Sequence, residues 1–275
     1  MILISPLSLI SLKSIASKIS RSVSLVFFFW ILTSSISYAD QILVVSSGGF
    51  AEAYKELSVP FTQLNPDIKI DFQRGPSMGE TVNAIPNRLA RGERVDVVIM
   101  VGSSLDELME QGKLLKGSKV VLAKSLIAVA VKSGAPKPNI SNSAELTKTL
   151  LAAKSVAYSD SASGEYLSKE LFPRLGIAAE LKTKAKQIPA IPVGEVVATG
   201  QAEIGFQQYS ELLPIKGIDI IGKLSNDVQK ETLFSAAIVA NSEHIESAKK
   251  LLKFLSSPEA QPIVRATGLD SVEGR

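Results

Sequence analysis

The chain of 275 residues is 45% hydrophobic, carries 30 basic against 27 acidic side chains and contains no cysteine. That length and apolar content suit one large or two modest domains with a buried core, and the lack of cysteine excludes disulfides, thiolate metal sites, a cysteine nucleophile and a lipidated N-terminal cysteine. The positive surplus belongs to the first 39 residues, where Lys13, Lys18 and Arg21 stand without an acidic residue, so the remainder is balanced at 27 against 27 and carries no electrostatic footprint for nucleic acid.

Residues 1–39 read as a signal peptide. A basic n-region precedes the apolar run Val23 to Leu32, VSLVFFFWIL, and the small residues Ser37 and Ala39 flank a cleavage point. Ten strongly apolar residues are too few to cross a hydrocarbon core of about 30 Å, so the expectation is export to a periplasm with no stable membrane anchor after cleavage. The mature chain then opens with QILVVSS, a buried strand, and a helix after Gly48-Gly49 with Phe50, Tyr54, Leu57 and Phe61 at helical spacing. IKIDFQ is the next strand, followed by a helix expected from about Ser77 to Arg91, which Pro86 ends or kinks midway. Strand VDVVIMVG, helix SLDELMEQGKL and strand SLIAVAVKSG complete a first alternating set.

A second set follows: a helix near SAELTKTL, a short strand ending at AYSD, helices from SGEYLSKELF and VGEVVATG, and strands at AEIGFQQ and IDIIG. TLFSAAIVAN then leads into one final amphipathic helix, SAKKLLKFLSSPEAQPIVRATG. The alternation predicts an α/β protein of two lobes, each a mostly parallel sheet flanked by helices, with a ligand cleft between them. The expected division places 40–123 and 240–275 in lobe 1 and 124–239 in lobe 2.

In such sheets ligands lie beyond the carboxyl ends of strands, where loops enter helix N-termini. Three strand-to-helix turns share hydroxyls and glycine: SSGGF (Ser46 to Phe50), RGPSMG (Arg74 to Gly79) and SDSASGEY (Ser159 to Tyr166). Each would present unpaired backbone N–H groups and partial positive charge to an anion. A serine at any one turn also serves as an ordinary N-cap, but three together point to a shared anion site. The candidate contacts are Gly48, Gly49 and Phe50 in the first turn, Arg74, Gly75, Ser77 and Met78 in the second, and Ser163 and Gly164 in the third. Arg74 can hold a carboxylate through two parallel hydrogen bonds. Arg88 and Arg91 would lie about 20 Å further along the expected helix, there to pair with acids or face solvent.

Other motifs are weak. Gly217, Gly222 and Lys223 have the spacing of a phosphate loop, but Leu224 stands where Ser or Thr belongs and IDII reads as strand. His244, the sole histidine, lies far from the glycine turns at the start of a helix and reads as a surface residue. No motif asks for a metal or cofactor.

The leader, the opening ILVVSSGGFAEAYKELSVPF, the VDVVIM strand with LDELMEQGKL, the hinge-like SLIAVAVKSG, AEIGFQQYSEL and the AKKLLKFLSSPEAQPIVRATG ending together resemble the periplasmic molybdate-binding protein family, which has the type II solute-binding fold. The resemblance implies ligand contacts at Ser77, at Ser163 and Gly164, and late in the second lobe, where Gln208 with Tyr209 beside it stands in place of the family's tyrosine. Gly49 replaces a family serine. The loss of hydroxyls and the gain of Arg74 favour a planar, carboxylated ligand over a compact oxyanion. SGGF, GPSMG, AIPNRLARGE and DVVIMVG are similar to the aconitate isomerase branch, which implies an allylic proton shift on a tricarboxylate without a cofactor. The alternative is a binding protein that hands a small carboxylate or oxyanion to an ABC permease. Glu165, Tyr166, Glu195 and Tyr209 fit capping or packing better than proton transfer, so no base is named.

Overall fold

The computed structural model describes residues 40–272; the expected leader lies outside the described residues. The chain first lays down strands β1 (Asp40–Ser46), β2 (Ile68–Arg74), β3 (Val97–Val101) and β4 (Val120–Ser125). It crosses at Leu126 and builds β5 (Ile127–Lys132), β6 (Val156–Ser159), β7 (Ala185–Ile188), β8 (Ile204–Gln208) and β9 (Ile218–Lys223). It then returns as β10 (Thr232–Ile238). Two five-stranded sheets result, ordered β2-β1-β3-β10-β4 and β7-β6-β8-β5-β9. In each, a single strand runs against the rest, β10 in the first and β5 in the second.

Strand burial follows sheet position. Central β3, VVIMV, is buried at every residue, as a strand covered on both faces must be. Edge strands β2 and β7 mix in polar and exposed positions. Helix α1 (Gly48–Leu64) lays Phe50, Tyr54, Leu57 and Phe61 on one face of the first sheet, all fully buried in the main core of that lobe. Leu146, Leu150, Leu167, Leu171 and Phe172 form the counterpart in the second lobe.

Three expectations change. The strand TLFSAAI belongs to the first sheet, inserted between β3 and β4, and not to lobe 2; the crossings between lobes therefore fall at Leu126 and across 224–231. Gln229 ties the two crossings together: its Oε1 accepts from the N–H of Ile127 (2.9 Å) and its Nε2 donates to the carbonyls of Ile127 (3.0 Å) and Leu224 (3.1 Å). The helix expected from Ser77 is a loop up to Ala84, with Gly79 at a φ of +99° that interrupts any helical path. Only α2 (Ile85–Ala90) is helical there, and Pro86 sits in its first turn, where a missing N–H costs nothing, so it starts the helix instead of kinking it. The C-terminal helix breaks at Ser256–Ser257 before Pro258, leaving Ile245–Leu255 and Gln261–Ala266 as separate pieces.

Gly164 shows how tight the turn after β6 is. A Cβ at this position would stand 1.7 Å from the carbonyl oxygen of Ser159, a backbone atom that cannot swing aside. Gly164→Ala is expected to cost about 1–3 kcal/mol, read as a Tm lower by about 2–12 °C. An unchanged Tm would show that this turn relaxes freely.

Candidate active site

The carboxyl ends of β1, β2, β6 and β8 open on one cavity of about 170 Å³ between the lobes. Lobe 1 supplies Ser47, Gly48 and Gly49 at the head of α1, then Arg74 to Pro76 after β2. Lobe 2 supplies Ser159 to Ser163 after β6, Ala190 to Pro192 after β7, and Gln207, Gln208 and Glu211 at the end of β8. The three glycine- and serine-bearing turns thus converge on a single space.

The head of α1 is an anion seat by construction. Ser47 is the N-cap but makes no side-chain cap, so the first N–H groups of a seventeen-residue helix face the cavity without an intrahelical partner. Both glycines there are set by close approach. A Cβ on Gly48 would stand 2.0 Å from Glu211 Oε1 and 3.4 Å from Arg74 Nη2, and one on Gly49 would strike the Phe234 ring at 2.2 Å. The Arg74 side chain makes no hydrogen bond or ion pair among the described residues, leaving its guanidinium available to a ligand.

Glu211 accepts a hydrogen bond from Gln207 Nε2 at 3.0 Å. Burial pushes its carboxyl up to about 7, and the nearby charge of Asp160 acts in the same direction; Arg74 and the Gln207 hydrogen bond pull the other way. Asp160 is also raised by burial, partly offset by the Ala190 N–H that it accepts at 3.3 Å. Ala190 has a φ of +64°, the only positive value at a non-glycine among the described residues, and sits in the loop that walls the cavity. Gln208 Nε2 donates to Thr232 Oγ1 at 3.0 Å, while its Oε1 is buried without a partner. The amide oxygen of this cavity-lining residue is therefore left without a partner among the described residues.

Residues 42–270 match the family model described as bacterial extracellular solute-binding protein. The chain belongs to this family. It is 50% identical over 231 residues to an aconitate isomerase of Pseudomonas sp, covering 84% of this chain and 88% of that one. It is 25% identical over 234 residues to the molybdate-binding protein ModA of Rhodobacter capsulatus, covering 84% and 88%. The fold is similar to the periplasmic molybdate-binding protein of Azotobacter vinelandii, with a TM-score of 0.67 at 19% identity over 83% of this chain and 98% of that one.

Within this solute-binding fold, Gly48, Gly49, Arg74, Gly75, Ser163 and Gln208 line the cavity; the other sequence candidates lie elsewhere. Phe50 is in the core of lobe 1. Ser77 is fully buried and its Oγ accepts the Val101 N–H at 2.9 Å, so it fastens the loop after β2 to the end of β3. Met78 packs against the first core, and Gly164 lies beneath the Ser159 carbonyl. The Tyr209 ring carries the Lys223 ammonium 4.8 Å from its centroid.

None of Glu165, Tyr166 and Glu195 reaches the cavity. Glu165 pairs with Lys169, Tyr166 donates its hydroxyl to the Val228 carbonyl at 2.9 Å, and Glu195 is exposed. Arg88 is buried rather than solvent-facing, bonding Glu93 at 2.7 Å and Gln73 at 2.6 Å, while Arg91 pairs with Glu93 at 2.6 Å. His244 contacts Asp40 and accepts from Arg94 at 2.9 Å. Gly217 to Lys223 is the approach to and body of β9, not a phosphate loop.

Asp160 and Glu211 escaped the sequence reading. Asp160 lies within the third glycine- and serine-bearing turn, and Glu211 stands three residues beyond Gln208 in the first turn of the helix Tyr209–Leu212, where an acid ordinarily serves the helix dipole. Its raised carboxyl has a thermodynamic signature. A group whose folded value lies above its unfolded one contributes stability that is complete below about 4.5 and lost as pH rises through about 7. Relative to Glu211→Gln, the wild-type Tm is therefore expected to fall by a few degrees between pH 4.5 and 8. Parallel Tm curves for the two proteins would show that Glu211 titrates normally.

Proposed function

We propose that this protein interconverts cis- and trans-aconitate by an allylic proton shift in the cleft between its lobes, working in the periplasm after removal of its leader. One observation carries the reading: half of the residues are identical to an aconitate isomerase across both lobes. The geometry supports it. A tricarboxylate needs seats for several carboxylates, and the cavity offers the head of α1 and the unpaired Arg74 within one small space. Removal of a proton next to a carboxylate spreads negative charge onto that carboxylate, and fixed N–H dipoles with a guanidinium stabilise that charge where it develops. Two carboxyl groups, Asp160 and Glu211, line the same wall and can exchange protons.

Purified mature protein incubated with trans-aconitate in deuterium oxide is expected to form the cis isomer and to place deuterium on the terminal carbons, both followed by proton NMR. Thermal stabilisation by trans-aconitate with neither conversion nor exchange would instead establish a binding protein. Arg74→Ala is expected to weaken trans-aconitate affinity at least about tenfold, because a hydrogen bond to a charged group contributes about 1.5–3 kcal/mol. Unchanged affinity would place the guanidinium outside the ligand shell.

A further inference from the structure

We infer that Glu211 is the catalytic acid–base that carries the proton between the two terminal carbons of aconitate, held in place by Gln207 and facing the head of α1 with Arg74. This assignment rests on the aconitate reading and names the group that performs its chemistry.

Two carboxyl groups are available, and their surroundings differ. Asp160 is occupied structurally: it accepts the N–H of Ala190 and so fastens the left-handed turn that walls the cavity. Glu211 makes no ion pair among the described residues, and its one side-chain partner orients it. Gln207 is buried and fixed at both ends, its Oε1 accepting from the Val193 N–H at 2.8 Å and its Nε2 donating to Glu211 Oε1 at 3.0 Å. A base held by a third, immobilised group is the arrangement that proton transfer requires.

Its location is equally specific. Glu211 Oε1 stands where a side chain on Gly48 would begin, with Arg74 Nη2 approaching the same point, so the carboxyl lies among the groups that would hold substrate carboxylates. The charged groups acting on it are Arg74 from lobe 1 and Asp160 from lobe 2. Together with burial, they leave it able to give and take a proton near neutral pH.

The step balances without an oxidant or co-reactant. The Glu211 carboxylate takes a proton from the methylene carbon; the electron pair of that C–H bond becomes a new double bond to the central carbon. The former double-bond pair moves to the opposite terminal carbon, which takes the proton back and restores the carboxylate. The bond that becomes double is single beforehand and free to rotate, so the rotamer held by the carboxylate seats decides between cis and trans.

The test compares wild type and Glu211→Gln for turnover of trans-aconitate and for calorimetric affinity toward tricarballylate, the saturated tricarboxylate that has no allylic proton. Glu211→Gln is expected to lower kcat by about 10²-fold or more while binding tricarballylate nearly as tightly as wild type, which also shows that it folds. Wild-type kcat/KM should climb to a plateau as pH rises through about 7, because the base must be ionised in the free enzyme. Turnover by Glu211→Gln within about tenfold of wild type, or a loss in kcat/KM matched by an equal loss of tricarballylate affinity, overturns the assignment alone. A wild type that binds without turning over removes the aconitate reading, and this assignment with it.

Discussion

The meeting of the two lobes at Gly48-Gly49 is the contact on which the site depends. Across it, the short helix Tyr209–Leu212 of the second lobe lies against the head of α1: Ser210 donates its buried hydroxyl to the Gly49 carbonyl at 2.7 Å, and Glu211 takes the space that a side chain on Gly48 would fill. The missing Cβ at Gly48 therefore does three things at once. It lets the backbones approach, leaves the first N–H groups of α1 facing the cavity, and brings a carboxyl group into a poorly solvated place beside Arg74. A larger residue at Gly48 would separate the helix dipole from the acid that it faces.

The rest of the fold serves that meeting. Each sheet directs the carboxyl ends of its parallel strands toward the cleft, and each contains one reversed strand beside the crossings between lobes. The crossings are only two, and Gln229 binds them to each other through three hydrogen bonds to backbone groups. Such a joint keeps the two cores separate while fixing where they touch. Relatives that bind molybdate share this scaffold, so the chemistry must come from what lines the cleft and not from the sheets.

Much of the architecture was legible in local pattern. The face Phe50, Tyr54, Leu57 and Phe61, the all-apolar VVIMV strand and the apolar core of AEIGFQQ each carry their own periodicity or burial, and each fell where expected. The convergence of three glycine- and serine-bearing turns was legible too, because strand-to-helix turns in parallel sheets all point toward one end. Legibility failed where a segment fits two settings equally. TLFSAAI is apolar on both faces and would suit either sheet; its place in the first is decided by the return of the chain through the Gln229 joint. The loop after Arg74 contains serine and glycine in helix-compatible spacing, yet the Ser77 hydroxyl is taken by the Val101 N–H, a contact between residues far apart in sequence.

By itself, the sequence determined the α/β class, the two-lobed plan, the anion-seeking turns and the place of Arg74 at one of them, since each depends on residues close together along the chain. Only the tertiary structure decided which hydroxyls remain for a ligand, which arginines are already paired and which acid is able to move a proton. Glu211 is an ordinary first-turn glutamate until the other lobe covers it. Its ionisation is set by burial, by Arg74 and by Asp160, and neither of those charges lies within fifty residues of it in sequence.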